Sequence, residues 1–199
     1  MRTWIGLTAG VLILLNTGCQ TSPKFTGAPN EVKLITLDPG HFHASLVQKA
    51  MYPQVDSTVH VYAPEGSDVN DHLQRIEGFN TRDNNPTHWV EVVYTGPDYL
   101  EKLIAERKGN VVVTAGNNSK KTDYIYRCVN AGFNVLADKP MVISPEKFPL
   151  LVRAFQDAQW RGLLLYDIMT ERHEITTILQ KELSQIPDVF GRLQIGTLE

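Results

Sequence analysis

Cysteine is nearly absent from this sequence: Cys19 and Cys128 are the only two among 199 residues. Two thiols cannot staple a small fold together, so the chain must fold on an apolar core. Charge of one sign is lacking as well. A formal net charge of −3 provides no basic field, which excludes nucleic acid as an expected partner. No apolar run reaches the length of a bilayer span; the stretch from Trp4 to Leu15 has roughly half of what is needed. Strict repeats and low-complexity tracts are missing too. What remains, 42% hydrophobic and 21% charged residues, is the balance of an ordinary soluble core. The length suits one domain, or one domain plus a fragment.

From residue 32 onward, short apolar runs alternate with amphipathic stretches. The pattern predicts strands at Lys33–Leu37, Thr58–Tyr62, Trp89–Tyr94, Asn110–Thr114, Asn134–Ala137 and Leu163–Tyr166. It predicts helices at Ala44–Met51, Asp68–Gly78, Asp98–Arg107, Lys120–Ala131 and Pro145–Gln159. "NVVVTA" and "GLLLY" are almost continuously apolar, as in strands covered on both faces. Such alternation specifies an α/β fold, a doubly wound parallel sheet with right-handed crossovers. Gly132 should cap one helix in the left-handed conformation, and Ser144 should cap another ahead of Pro145. The polar stretch from Phe79 to Thr87 reads as a loop. After Tyr166 comes a longer helix with Ile175, Ile178, Leu179 and Leu183 on one face, then "PDVFGRLQIGTLE", a turn into a new strand. The expected division is a Rossmann-like domain at 32–168 and the start of a second, α+β domain at 169–199.

Residues 1–19 read as an export signal and 20–31 as a polar linker. Arg2 precedes the apolar stretch, and "LNTGC" places small residues ahead of Cys19. This arrangement resembles a bacterial lipoprotein signal. The resemblance implies cleavage before Cys19, acylation of that residue, and a membrane-anchored protein facing the periplasm or the cell exterior. Each buried acyl methylene contributes roughly 0.8 kcal/mol, so several chains make a firm anchor. Cys128, in an apolar helical pattern and then without a disulfide partner, reads as a small core residue.

In an open parallel sheet, ligands bind at the carboxyl ends of the strands. The informative turns are therefore "DPGHFH", "APEG", "TGP", "AGNNSKK" and "DKP". The first poses a conflict. A dinucleotide turn spaces three glycines as G-x-G-x-x-G, and here those slots hold Asp38, Gly40 and His43. Gly40 keeps the position at which backbone approaches a pyrophosphate. Asp38 brings negative charge toward the phosphates unless it turns away, and His43 holds helix and strand apart. N–H groups opening the following helix offer an anion site beside Phe42, and His41 or His43 could bond a phosphate. Glu65, about 25 residues beyond Gly40, suits an adenosine ribose. The "HFH" pair also offers two metal nitrogens, but other ligands would have to come from elsewhere. The other dense patch, Glu171, His173 and Glu174, lies after the sixth strand, and no metal is expected.

"AGNNSKKTDYIYRCVNAGFNVLADKPM" resembles the central stretch of the glucose–fructose oxidoreductase and inositol dehydrogenase family, Gfo/Idh/MocA. Gly116, Asn117 and Asn118 fill that family's T-P-N slots, Lys121 its histidine slot, and Asp138-Lys139-Pro140 its Glu-Lys-Pro slot. "YDIMTERHE" carries Arg172 where the family has an arginine before its long helix. The similarity spans roughly residues 33 to 199. It implies an NAD or NADP cofactor and redox chemistry at a hydroxyl or keto carbon of a sugar or polyol. Lys139 is the implied catalytic residue, reaching substrate and nicotinamide ribose. Gly116, Asn117, Asn118 and Lys121 are expected to line the nicotinamide side, flanked by Asp138 and Pro140. A proton-relay residue, and any homo-oligomer contacts, are expected from the second domain. Two other readings stay open. One is a cofactor-free sugar-binding or scaffold lipoprotein; the other is a redox-assisted glycoside lyase or isomerase.

Overall fold

The computed structural model describes residues 25–168 and 174–192, together with Gln194 and Gly196. Cys19 with the export signal, and Glu171, Arg172 and His173, lie outside the described residues.

Six strands form one parallel sheet: β1 (Leu34–Leu37), β2 (Thr58–Ala63), β3 (Val90–Thr95), β4 (Val111–Thr114), β5 (Asn134–Ala137) and β6 (Leu165–Asp167). Their order is β3-β2-β1-β4-β5-β6, and every neighbouring pair is parallel. Strand order reverses between β1 and β4, which creates the crevice where such sheets hold ligands. The expected α/β, doubly wound architecture is present. "LITL" and "VVVT" are buried at every position because helices or loops cover both faces.

The helices are α1 (His43–Leu46), α2 (Ser67–Thr81), α3 (Tyr99–Glu106), α4 (Asn118–Asn130), α5 (Phe148–Arg161), α6 (Ile175–Ser184) and α7 (Pro187–Phe190). Alternation along β1 sends Ile35 and Leu37 to one face, where Leu103 of α3, Ile125 of α4 and Ala154 of α5 complete a core. Leu34 joins Val59, Val111 and Val113 on the opposite face with Ile76 of α2 and Trp89. Each fully buried aliphatic side chain contributes about 1.5–3 kcal/mol, so these layers fix the sheet and hold its rim still.

Four expectations need correction. First, α1 is a single turn, not a helix over 44–51. The chain is pulled out of helix by strand-like pairing further on: Val32 bridges Val55, and the Val32 N–H donates to the Gln54 carbonyl at 2.9 Å. Second, α2 runs through Thr81, past the residues read as loop. Asn80 holds that end, accepting the Trp89 N–H at 2.9 Å and donating to the Trp89 carbonyl at 3.0 Å. Third, Ser144 is extended ahead of a 3₁₀ turn at Pro145–Lys147, but its side chain caps no N–H of that turn. Fourth, Pro187–Phe190, read as part of a turn, forms the short helix α7, while the strand expected after it falls mostly outside the described residues. Gly132 adopts φ +86° as expected. No described helix is long and apolar enough to cross a membrane.

Candidate active site at the carboxyl rim

At the end of β1 the chain turns sharply. Asp38 takes the left-handed conformation, φ 45°, and swings its side chain into the protein. Its Oδ2 accepts from the Tyr124 hydroxyl at 2.6 Å and from Asn117 Nδ2 at 2.9 Å. The Asp38 charge is therefore turned away from the crevice and ties β1 to the start of α4. Burial, with Asp38 and Tyr99 beside it, pushes the Tyr124 phenol far above its usual range, so it remains a donor.

Gly40 and Gly116 meet back to back. The Gly40 and His41 N–H groups both donate to the Ala115 carbonyl, at 2.7 and 3.1 Å. A Cβ on Gly116, whose φ is +101°, would lie 2.4 Å from the Gly40 Cα. The absence of a side chain at these two positions lets the β1 and β4 turns close on each other. Asp68, from the first turn of α2, also presses on Gly40: its Oδ2 would lie 3.2 Å from a Cβ there.

The third turn comes from β5. Asp138 is 2% exposed and accepts three donors or donor-capable groups. His43 Nδ1 lies 2.8 Å from its Oδ1 and His41 Nδ1 3.2 Å from its Oδ2, while the Lys139 N–H donates to Oδ1 at 2.8 Å. The Lys139–Pro140 peptide bond is cis. Beneath this turn Lys121 is fully buried. Its Nζ donates to Asn118 Oδ1 at 2.7 Å, to the Asp138 carbonyl at 3.1 Å and to the Lys139 carbonyl at 3.5 Å. Burial lowers the Lys121 pKa, with the Asp138 charge opposing. Burial likewise lowers that of His41, with Asp138 opposing and His43, Lys139 and Lys121 adding to the drop. The Lys139 side chain, by contrast, is exposed at the rim, and its ammonium bonds no group among the described residues.

Not every expected residue faces the crevice. Lys121, expected to line the nicotinamide side, is a buried prop for the Asp138–Lys139 turn. Asp38 and Asn117 bond each other rather than a ligand. His43 is buried on Asp138. The helix-opening anion site loses most of its field, because a one-turn α1 has almost no macrodipole. The turn after β3 is tied to the end of β2, its Gly96 N–H donating to the Ala63 carbonyl at 3.3 Å. No local pattern pointed to Asp68 and Asp71, which line a cleft of about 50 Å³ with Gly40, His41, His72 and Arg75. Within it His72 Nε2 is buried without a partner among the described residues, and burial lowers its pKa to about 4.

A dinucleotide would need three kinds of group along this rim, and three stand unpartnered among the described residues. They are the Lys139 ammonium, the Phe42 N–H in the first turn, and the Glu65 carboxylate after β2. On the expected assignment they would meet the nicotinamide ribose, the phosphates and the adenosine ribose. The residues fit the cofactor; Asp68 and Asp71 beside Gly40 weaken the phosphate end.

No protein-family model and no curated protein matches the chain. Solved structures do. A candidate oxidoreductase from Parabacteroides merdae ATCC 43184 shares 64% identity with a TM-score of 0.80, over 87% of this chain and 39% of its own. GenD2 from gentamicin A biosynthesis, solved in complex with NAD, shares 20% identity with a TM-score of 0.56, over 83% of this chain and 42% of its own. A variant of KijD10, a 3-ketoreductase from Actinomadura kijaniata, was solved with TDP-benzene and NADP. It shares 18% identity with a TM-score of 0.53, over 77% of this chain and 43% of its own. The neighbours are thus nicotinamide-dependent or candidate oxidoreductases, and the chain spans about two fifths of their length.

Proposed function

We propose that this chain is the dinucleotide-binding portion of an NAD- or NADP-dependent oxidoreductase of the Gfo/Idh/MocA type, acting on a hydroxyl or keto carbon of a sugar or polyol. One observation carries the reading: among the described residues, the only lysine on the three interlocked turns at the switch point that keeps an unpaired, exposed ammonium is Lys139. A cation there lowers the cost of alkoxide character on a substrate oxygen as hydride departs. Lys121 and Asp138 act below it. Lys121 holds the two carbonyls, and Asp138 receives the Lys139 N–H, so the turn is fixed before substrate arrives. A bound dinucleotide supplies the hydride acceptor or donor. The proposal extends to domain limits at 32–168 and 169–199, to Arg172 as a further cofactor contact, and to export with an acyl anchor on Cys19.

The test uses the full-length protein. Native mass spectrometry after gentle extraction should find a co-purifying dinucleotide, or fluorescence titration should find saturable NAD(H) or NADP(H) binding. Lys139→Met should keep that binding within a few-fold and lower turnover by at least about 100-fold, the scale of losing one electrostatic stabiliser. Absence of binding to either dinucleotide defeats the proposal. The cofactor-free sugar-binding reading is favoured by one observation: the Gly40 and His41 N–H groups turn inward to Ala115. It would then be the one left standing.

A further inference from the structure

We infer that His41, His43 and Asp138 form a binding site for one divalent transition-metal ion of the zinc class at the sheet rim. The donors come from two turns separated in sequence by 95 residues. The ligand atoms of all three side chains lie within 4.8 Å of one another. Two imidazole nitrogens and one carboxylate oxygen are the donor set of open, three-ligand sites, which leave positions for water or substrate. Burial is graded accordingly: His43 and Asp138 are buried, while the His41 side chain is 35% exposed toward the crevice.

The bonding pattern leaves the Asp138 carboxylate open to a cation, against the positive charge of Lys121 beneath it and Lys139 beside it. A buried carboxylate needs a counter-charge. No lysine or arginine among the described residues ion-pairs with Asp138, although Lys121 lies directly beneath it. Lys121 instead directs its ammonium to two carbonyl oxygens and to Asn118. The carboxylate meets only the two Nδ1 atoms and one backbone N–H, which serves as the outer hold a ligating carboxylate requires. An ion here would sit beside Lys139 and draw a substrate oxygen toward the same place.

This inference does not depend on the dinucleotide, and its test is run without one. Full-length protein stripped with a chelator is titrated with Zn²⁺ by calorimetry and with Co²⁺ by visible absorption. One equivalent should bind, with Co²⁺ giving d–d bands of a nitrogen–oxygen site. His41→Ala, at a half-exposed position that leaves the core intact, should weaken binding by at least about 100-fold, and Asp138→Asn should do the same. His88→Ala, in the loop before β3, should change nothing. No binding by folded protein overturns the inference. So does binding that His41→Ala leaves unaltered, since the ion would then sit elsewhere.

Discussion

Asp68 shows how one side chain can tune a whole site. It stands against Gly40 with its carboxylate where phosphate charge would pass, and like charges a few ångströms apart near a surface cost about 1 kcal/mol or more. Asp68→Asn should therefore tighten NAD(H) or NADP(H) by about fivefold in a fluorescence titration, and the gain should shrink in high salt. Gly116 is the other sensitive position. Gly116→Ala would drive a Cβ to 2.4 Å from the Gly40 Cα at a φ of +101°, so urea unfolding should show a loss of about 3 kcal/mol or more. Gly162→Ala is the matched comparison. It has φ +69° but open space around it, and should lose only about 1 kcal/mol. Gly40 and Gly116 were each singled out in the sequence, yet their packing against each other was not, because nothing local ties residue 40 to residue 116.

Strand β3 is one of the two edge strands and carries Glu91, whose side chain accepts from Gln48. Burial raises the Glu91 pKa to about 7, with the Gln48 hydrogen bond opposing. In unfolded chain the same group titrates near its ordinary value of 4.5. The protonated form is thus favoured by folding. Its contribution is fully present below pH 4.5 and is lost as pH rises to about 7. Glu91→Gln should match the parent near pH 4 and exceed it by about 2 kcal/mol at pH 8, read as a widening gap between melting temperatures. His72 on α2 works in the opposite sense. Its lowered pKa means stability present above pH 6.5 and lost as pH falls toward about 4. The element pattern itself was readable: five of six strands lie within a residue of where periodicity placed them, and β6 begins two residues late. The exceptions, α1 and the end of α2, were decided by contacts from elsewhere in the chain, Val55 on Val32 and Asn80 on Trp89.

Across the molecule, large apolar side chains crowd surfaces that no described element covers. Trp160, Leu164, Phe148 and Ile143 are more than half exposed around α5, and Ile175, Leu179 and Leu183 are so on α6. A cleft of about 490 Å³ on the α1 side of the sheet is lined by Leu34, Val111, Leu136 and Leu164 among others. Patches of this kind seek a cover. Residues 25–199 expressed alone should bind the dye ANS strongly and self-associate in sedimentation velocity. A protein of the length of the Parabacteroides relative should do neither.

The sequence by itself determined the layer order, since apolar runs of four or so residues separated by amphipathic helices can bury both faces only as a doubly wound parallel sheet. It also placed Lys139 close to the rim, because the residues just past an inner strand of such a sheet lie at its carboxyl edge. Tertiary structure alone decided which groups share that rim. Asp38 turned inward, Lys121 sank beneath its turn, and Asp138 drew two imidazoles together across β4. Those outcomes depend on close approach between turns far apart in sequence, and no local pattern encodes a distance between them.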